Sequence, residues 1–87
     1  MKLLFDKVYL KNFSKITQNN PKLKRKIVDK LGLFIENQNH PSLRLHSFQN
    51  GSKKEWSISV NRSIRIAFTY IKNGILLLDI GTHEDIY

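Results

Sequence analysis

The chain has 87 residues, with 15 Lys plus Arg against 7 Asp plus Glu, a net charge of +8 and no Cys. A chain this short buries only about 60 to 65% of its unfolded surface, so it has one core, is read as one domain over residues 1–87, and has no room for a second module. Its charge suits a phosphate backbone, an anionic membrane or an acidic protein; the missing Cys excludes disulfides and thiolate metal sites, and no run nears the roughly 18 apolar residues of a spanning helix.

In chain order, residues 2–5 read as a short opening strand. Asp6 is an N-cap, and Val8, Tyr9, Phe13 and Ile16 then recur at helical spacing. Asn20 followed by Pro21 opens a second helix, whose apolar stripe of Leu23, Ile27, Leu31, Phe34 and Ile35 ends before Asn37. From there the period falls from 3.6 to 2. Leu43 and Leu45 alternate with Arg44 and His46; Trp56, Ile58 and Val60 with Ser57 and Ser59; Ile64, Ile66, Phe68 and Tyr70 with Arg65, Ala67 and Thr69. Asn50-Gly51 and Asn73-Gly74 are hairpin dipeptides, since both residue types tolerate the positive φ of type I′ turns. The last strand, residues 75–80, is apolar on both faces, which predicts a central strand that stops at Gly81. The fold class expected is α+β: two N-terminal helices packed on a twisted, mostly antiparallel sheet of four to five strands.

Alternation then sorts the polar residues. If the apolar positions face the helices, Arg44, His46, Ser57, Ser59 and Arg65 face the other way, and His83 and Tyr87, just past the last strand, are able to close over them. Two imidazoles and a guanidinium on a hydroxyl-rich, cationic surface supply a metal-independent ribonuclease. One group takes the 2′-OH proton, another protonates the 5′-oxygen, and a cation holds the charge that develops on the phosphate. Trp56 shares the face of Ile58 and Val60 and is read as core. Lys22, Lys24, Arg25, Lys26 and Lys30 make a polar helix side that is usually just solvated, although residues 1–30 hold nine Lys or Arg and only Asp6 and Asp29 as acids, a surplus suited to ribosomal RNA. Asp79, Glu84 and Asp85 lack octahedral ligand spacing, so neither metal nor other cofactor is expected.

The segments Leu43-Arg44-Leu45-His46, Trp56-Ser57-Ile58-Ser59-Val60, Ile64-Arg65-Ile66-Ala67-Phe68 and Leu78 to Tyr87, with its Gly81-Thr82-His83 and the aromatic four residues on, together resemble the RelE/ParE superfamily of type II toxins, nearest its YafQ-like branch. The resemblance implies the RelE-like microbial ribonuclease fold and an mRNA interferase that cuts mRNA on the ribosome and inhibits translation; a cytoplasmic location is expected from the lack of a spanning or signal-like segment. The resemblance also implies His46 and His83 as acid/base pair, Arg65 as phosphate cation and Tyr87 as the aromatic that orients substrate; Arg44, Ser59, Arg62 and Ser63 are read as the substrate-binding residues around them. Ser59 stands where relatives carry His or Lys, which leaves the acid/base work to His46 and His83. The partners implied are the ribosome with its mRNA and an acidic antitoxin encoded in the adjacent gene, with no membrane. Two other classes remain open: a ParE-like inhibitor of DNA gyrase or inactive antitoxin-binding subunit, and a general RNA-binding domain.

Overall fold

Asp6 accepts the Val8 amide at 2.8 Å and Asn20 accepts that of Leu23 at 3.1 Å, so both helices begin where their caps lie in the computed structural model, which describes residues 1–87. The elements are β1 (Lys2–Phe5), α1 (Lys7–Thr17), α2 (Pro21–Glu36), a 3₁₀ turn (Pro41–Leu43), β2 (His46–Asn50), β3 (Lys53–Ser59), β4 (Ile64–Ile71), β5 (Gly74–Thr82) and α3 (His83–Ile86). The strands form one sheet in the order β1-β5-β4-β3-β2, antiparallel except where β1 runs parallel to β5. This is the expected α+β arrangement of a helix pair with a mostly antiparallel sheet.

The helices bring Tyr9, Ile27 and Phe34 onto Ile58, Ile66, Phe68, Ile75, Leu77 and Ile80 of the sheet and onto Val60 just past β3. Phe34 meets Phe68 edge-on at 5.0 Å, a geometry worth about 0.5 to 1.5 kcal/mol beyond the buried area. Trp56 packs against this cluster, as its face required.

Four details depart from the sequence reading. Leu43 to His46 is not a strand: Pro41 starts a 3₁₀ turn that His40 caps, Arg44 turns left-handed at φ 47°, and pairing begins only at His46. Proline's fixed φ outweighs a two-residue alternation. Both hairpin loops lie one residue from the dipeptides expected. The first is Gly51-Ser52, with the positive φ on Gly51; the second is Lys72-Asn73, with it on Asn73. Gly74 is therefore a strand residue, and it is glycine because a Cβ there would run into the Lys2 carbonyl as β1 approaches. β5 lies between β1 and β4, while β4 is the middle strand, and β5 continues through Gly81 to Thr82. Its apolar character on both faces comes in part from a bulge. Pairing jumps from Ala67↔Asp79 to Phe68↔Leu77, and the extra residue, Leu78, resets the alternation so that Leu77 and Ile80 both enter the core.

Candidate functional site

The sheet's second face is set by register. His46 pairs with Ser57, Ser57 with Ala67, Ser59 with Arg65, and Arg65 with Gly81, so these side chains share the side away from the helices. That side was expected to be open, yet Ser57, Ser59 and Ala67 are buried. The roof consists of the Arg65 side chain and the C-terminal segment.

The segment folds back through a capping box. Asp85 accepts from the amide and the hydroxyl of Thr82, both at 3.0 Å, while the Thr82 hydroxyl accepts the Asp85 amide at 3.3 Å. The bonds from Thr82, backbone first and side chain second, hold the Asp85 carboxyl below its ordinary value of 3.8. Gly81 makes the reversal possible: a Cβ there would stand 2.8 Å from Asp85 Oδ2 and 2.9 Å from its Cβ.

The reversal delivers Tyr87. Its hydroxyl is in hydrogen-bond contact with Ser57 Oγ, and its ring centroid lies 4.4 Å from that of His83, 5.3 Å from that of His46 and 4.7 Å from that of Phe48, which it meets edge-on. Arg65 completes the group. Its Nε donates to Ser57 Oγ at 2.9 Å, and its Nη2 donates to the Arg44 carbonyl at 2.8 Å and the Ser57 carbonyl at 3.4 Å. A guanidinium has five N–H donors, so the Nη1 pair is left over for a ligand oxygen.

His46, Arg65, His83 and Tyr87 thus converge around Ser57. Both imidazoles are exposed, Arg65 is half-buried, and the phenol bridges them. Such a set can move protons at two points and neutralise an anion at a third. The four substrate-binding candidates lie around this group. Arg44 contributes its carbonyl to Arg65 and lines a neighbouring cleft together with Ser59 and Arg62. The Ser59 hydroxyl donates to the Asn61 carbonyl at 2.8 Å, so its proton is already engaged. Ser63 and Arg62 line a shallow groove beside His83.

Two members of the group were not singled out from the sequence. Ser57 carried no signal beyond its face, because its place opposite His46 depends on a register fixed by the Gly51-Ser52 turn. Phe48 did carry one: it stands two residues after His46, which puts both on one side of β2. His40, the third histidine, is spent structurally, accepting the Ser42 amide at 3.2 Å.

Carboxylates gather elsewhere. Five of the seven acids, Asp6, Glu55, Asp79, Glu84 and Asp85, line a cleft beyond Tyr87 on the side of Asn50 and Leu78. Four of them are engaged by the fold: Asp6 and Asp85 cap helices, Asp79 accepts from Asn12 and from the Ile80 amide, both at 2.7 Å, and Glu55 accepts from the Asn50 side chain at 3.2 Å.

The fold that carries this group is that of the RelE/ParE toxins. YafQ from E. coli strain BL21(DE3) matches with a TM-score of 0.79 at 16% identity, over 99% of this chain and 97% of that one. A copper-bound mutant toxin from Helicobacter pylori matches with a TM-score of 0.77 at 18% identity, over 100% of this chain and 99% of that one. YoeB in the YoeB–YefM complex from Staphylococcus aureus matches with a TM-score of 0.75 at 19% identity, over 95% and 97%. No protein-family model matches the sequence, and no curated protein matches it either.

Proposed function

We propose that the chain is the toxin of a type II toxin–antitoxin pair and acts as a ribosome-dependent mRNA endoribonuclease in the cytoplasm. The observation that carries this reading is the position of Tyr87, whose single ring neighbours both imidazoles and reaches Arg65 through Ser57. In the reaction one imidazole removes the 2′-OH proton and the 2′-oxygen attacks the adjacent phosphorus. The bond to the 5′-oxygen breaks as the other imidazole protonates it, leaving a 2′,3′-cyclic phosphate and a 5′-hydroxyl. Arg65 Nη1 faces the non-bridging oxygens as their charge grows, and Tyr87 and Phe48 offer aromatic surface to a splayed base. Every proton has a protein group to accept or supply it, so no step calls for a metal or cofactor. The fold neighbour YoeB forms a complex with YefM, which supports an antitoxin as this chain's partner too, and the net charge of +8 favours an acidic one.

The test is translation in vitro with mapping of mRNA ends. The reading predicts codon-specific 5′-hydroxyl ends that appear only with ribosomes, and a loss of about 10² to 10⁴ in cleavage for His83→Ala with the fold intact. Unchanged cleavage by that variant rejects the mechanism. One observation favours a second reading, a ParE-like gyrase inhibitor or an inactive antitoxin-binding subunit: the Ser59 hydroxyl is tied to Asn61, which leaves that strand position without a titrating group. Stalled DNA supercoiling, with mRNA left whole, would select the gyrase version.

A further inference from the structure

Not all of the positive charge on α2 is alike. Lys26 and Lys30 stand one helical turn apart, and with Arg44, Arg62 and Arg65 they line a cleft of about 390 Å³ between α2 and the β3–β4 turn. Lys22 and Lys24 line a different surface, beside Arg25 and Asp29. The first cleft has five cationic side chains and no carboxylate, whereas most of the molecule's acids sit in the cleft beyond Tyr87. Like charges brought together without an acid between them repel one another in the free protein, and an anion that enters relieves this. Two side chains in it are already positioned by bonds within the protein: Lys30 Nζ donates to Ser42 Oγ at 3.2 Å, and Arg65 is held by Ser57 and Arg44.

Arg65 belongs to both the histidine–tyrosine group and this cleft. A polyanion bound at Arg65 therefore meets cations in the direction of α2 and carboxylates in the direction of Glu55 and Glu84. We propose that the cleft lined by Lys26, Lys30, Arg44, Arg62 and Arg65 is a second anion subsite, which grips the RNA backbone phosphate next to the one being cut. This rests on the nuclease reading above for what passes Arg65, and it names where the strand goes from there. Ser42 and Asn61 at its rim supply uncharged hydrogen-bonding groups, while the contact is to backbone and so carries no base preference.

The test compares two double variants with the same change in net charge, Lys26→Gln with Lys30→Gln and Lys22→Gln with Lys24→Gln. The probe is a fluorescein-labelled 2′-O-methyl RNA decamer, which lacks the attacking hydroxyl and cannot be cleaved. Anisotropy is read from 50 to 200 mM salt. Loss of the grip on one phosphate of a single strand makes the slope of log K against log salt shallower by about 0.7 for the Lys26/Lys30 pair. The Lys22/Lys24 pair is expected to change it by less than half as much. Equal changes for both pairs mean diffuse attraction and overturn the subsite. Cleavage on ribosomes is scored separately: a wild-type protein that cuts mRNA while both pairs bind alike refutes the subsite alone, and one that never cuts while the pairs differ refutes the nuclease reading alone.

Discussion

Arg65 directs its Nε hydrogen at Ser57 Oγ, 2.9 Å away, rather than into solvent, and the same oxygen touches the phenol of Tyr87. A fully buried serine thus links the cation of one strand to the last aromatic of the chain. With a lone pair taken by Arg65, Ser57 either donates its proton to Tyr87 or accepts the phenol's. In both cases the bonds to Ser57 and the Arg44 carbonyl fix the guanidinium plane and leave Nη1 unengaged by the protein.

Ser57→Ala removes that link without opening a large cavity. The Arg65 Nε–H and the Tyr87 hydroxyl lose their partner, which costs about 1 to 3 kcal/mol of stability. Cleavage is expected to fall at least about tenfold while the variant still folds, because a misaligned guanidinium stabilises the transition state less well. Arg65→Lys is the companion. It keeps the charge but has no fork to satisfy Ser57 and the Arg44 carbonyl together, so its activity should fall below that of Ser57→Ala. Thermal melts beside end-mapped cleavage decide the matter; full activity in Arg65→Lys would show that charge alone suffices.

His46 and His83 reach the site from two different elements, His46 opening β2 and His83 opening α3. If they act as a base and acid couple, each alanine variant loses about 10² to 10⁴ in rate, and the double variant loses little more than the worse single one, since groups that act as a unit are not additive. Single-turnover cleavage of the three variants checks this. Multiplying losses would mean that the two imidazoles work independently.

Much of this layout was legible in the sequence because alternation and capping are local. Asp6, Asn20-Pro21 and the period change gave the two helices and the sheet, and the faces of β3 and β4 put Arg65 opposite the core. Long-range terms hid the rest. Arg44 reaches the site through a backbone carbonyl in a left-handed turn, which no side-chain pattern announces, and Leu78 is bulged by pairing with a distant strand. Ser57 looked like any strand serine until His46, Arg65 and Tyr87 were brought to it.

Gly81 is the hinge on which Tyr87 depends. In Gly81→Ala the new methyl meets both Cβ and Oδ2 of Asp85 at under 3.0 Å, so α3 must shift outward. The hydrophobic core lies on the other face and keeps its packing. The variant is expected to melt close to wild type yet lose contact between Tyr87 and Ser57, with cleavage reduced about as far as in Tyr87→Ala. Comparing the two variants by cleavage and by NMR of the Tyr87 ring checks this. A fully active Gly81→Ala would show that the docked position of α3 is unnecessary.

Asp85 makes the same docking sensitive to acid. Its folded-state carboxyl sits below 3.8 because the Thr82 amide and hydroxyl both donate to the charged form. A depressed carboxyl contributes stability that is complete above the ordinary value and is lost as pH falls through the lowered one. The terminal turn should therefore stay closed from neutral pH down past 3.8 and open only below it. Its opening should precede loss of the core, since α3 buries none of its residues. The Thr82 amide shift, followed by NMR from pH 7 to pH 2, is expected to titrate with a midpoint below 3.8, and the transition should vanish in Asp85→Ala. A midpoint at or above 3.8 would mean that the capping box does not hold the carboxylate in solution, and with it would go the reason for Tyr87 to rest on Ser57.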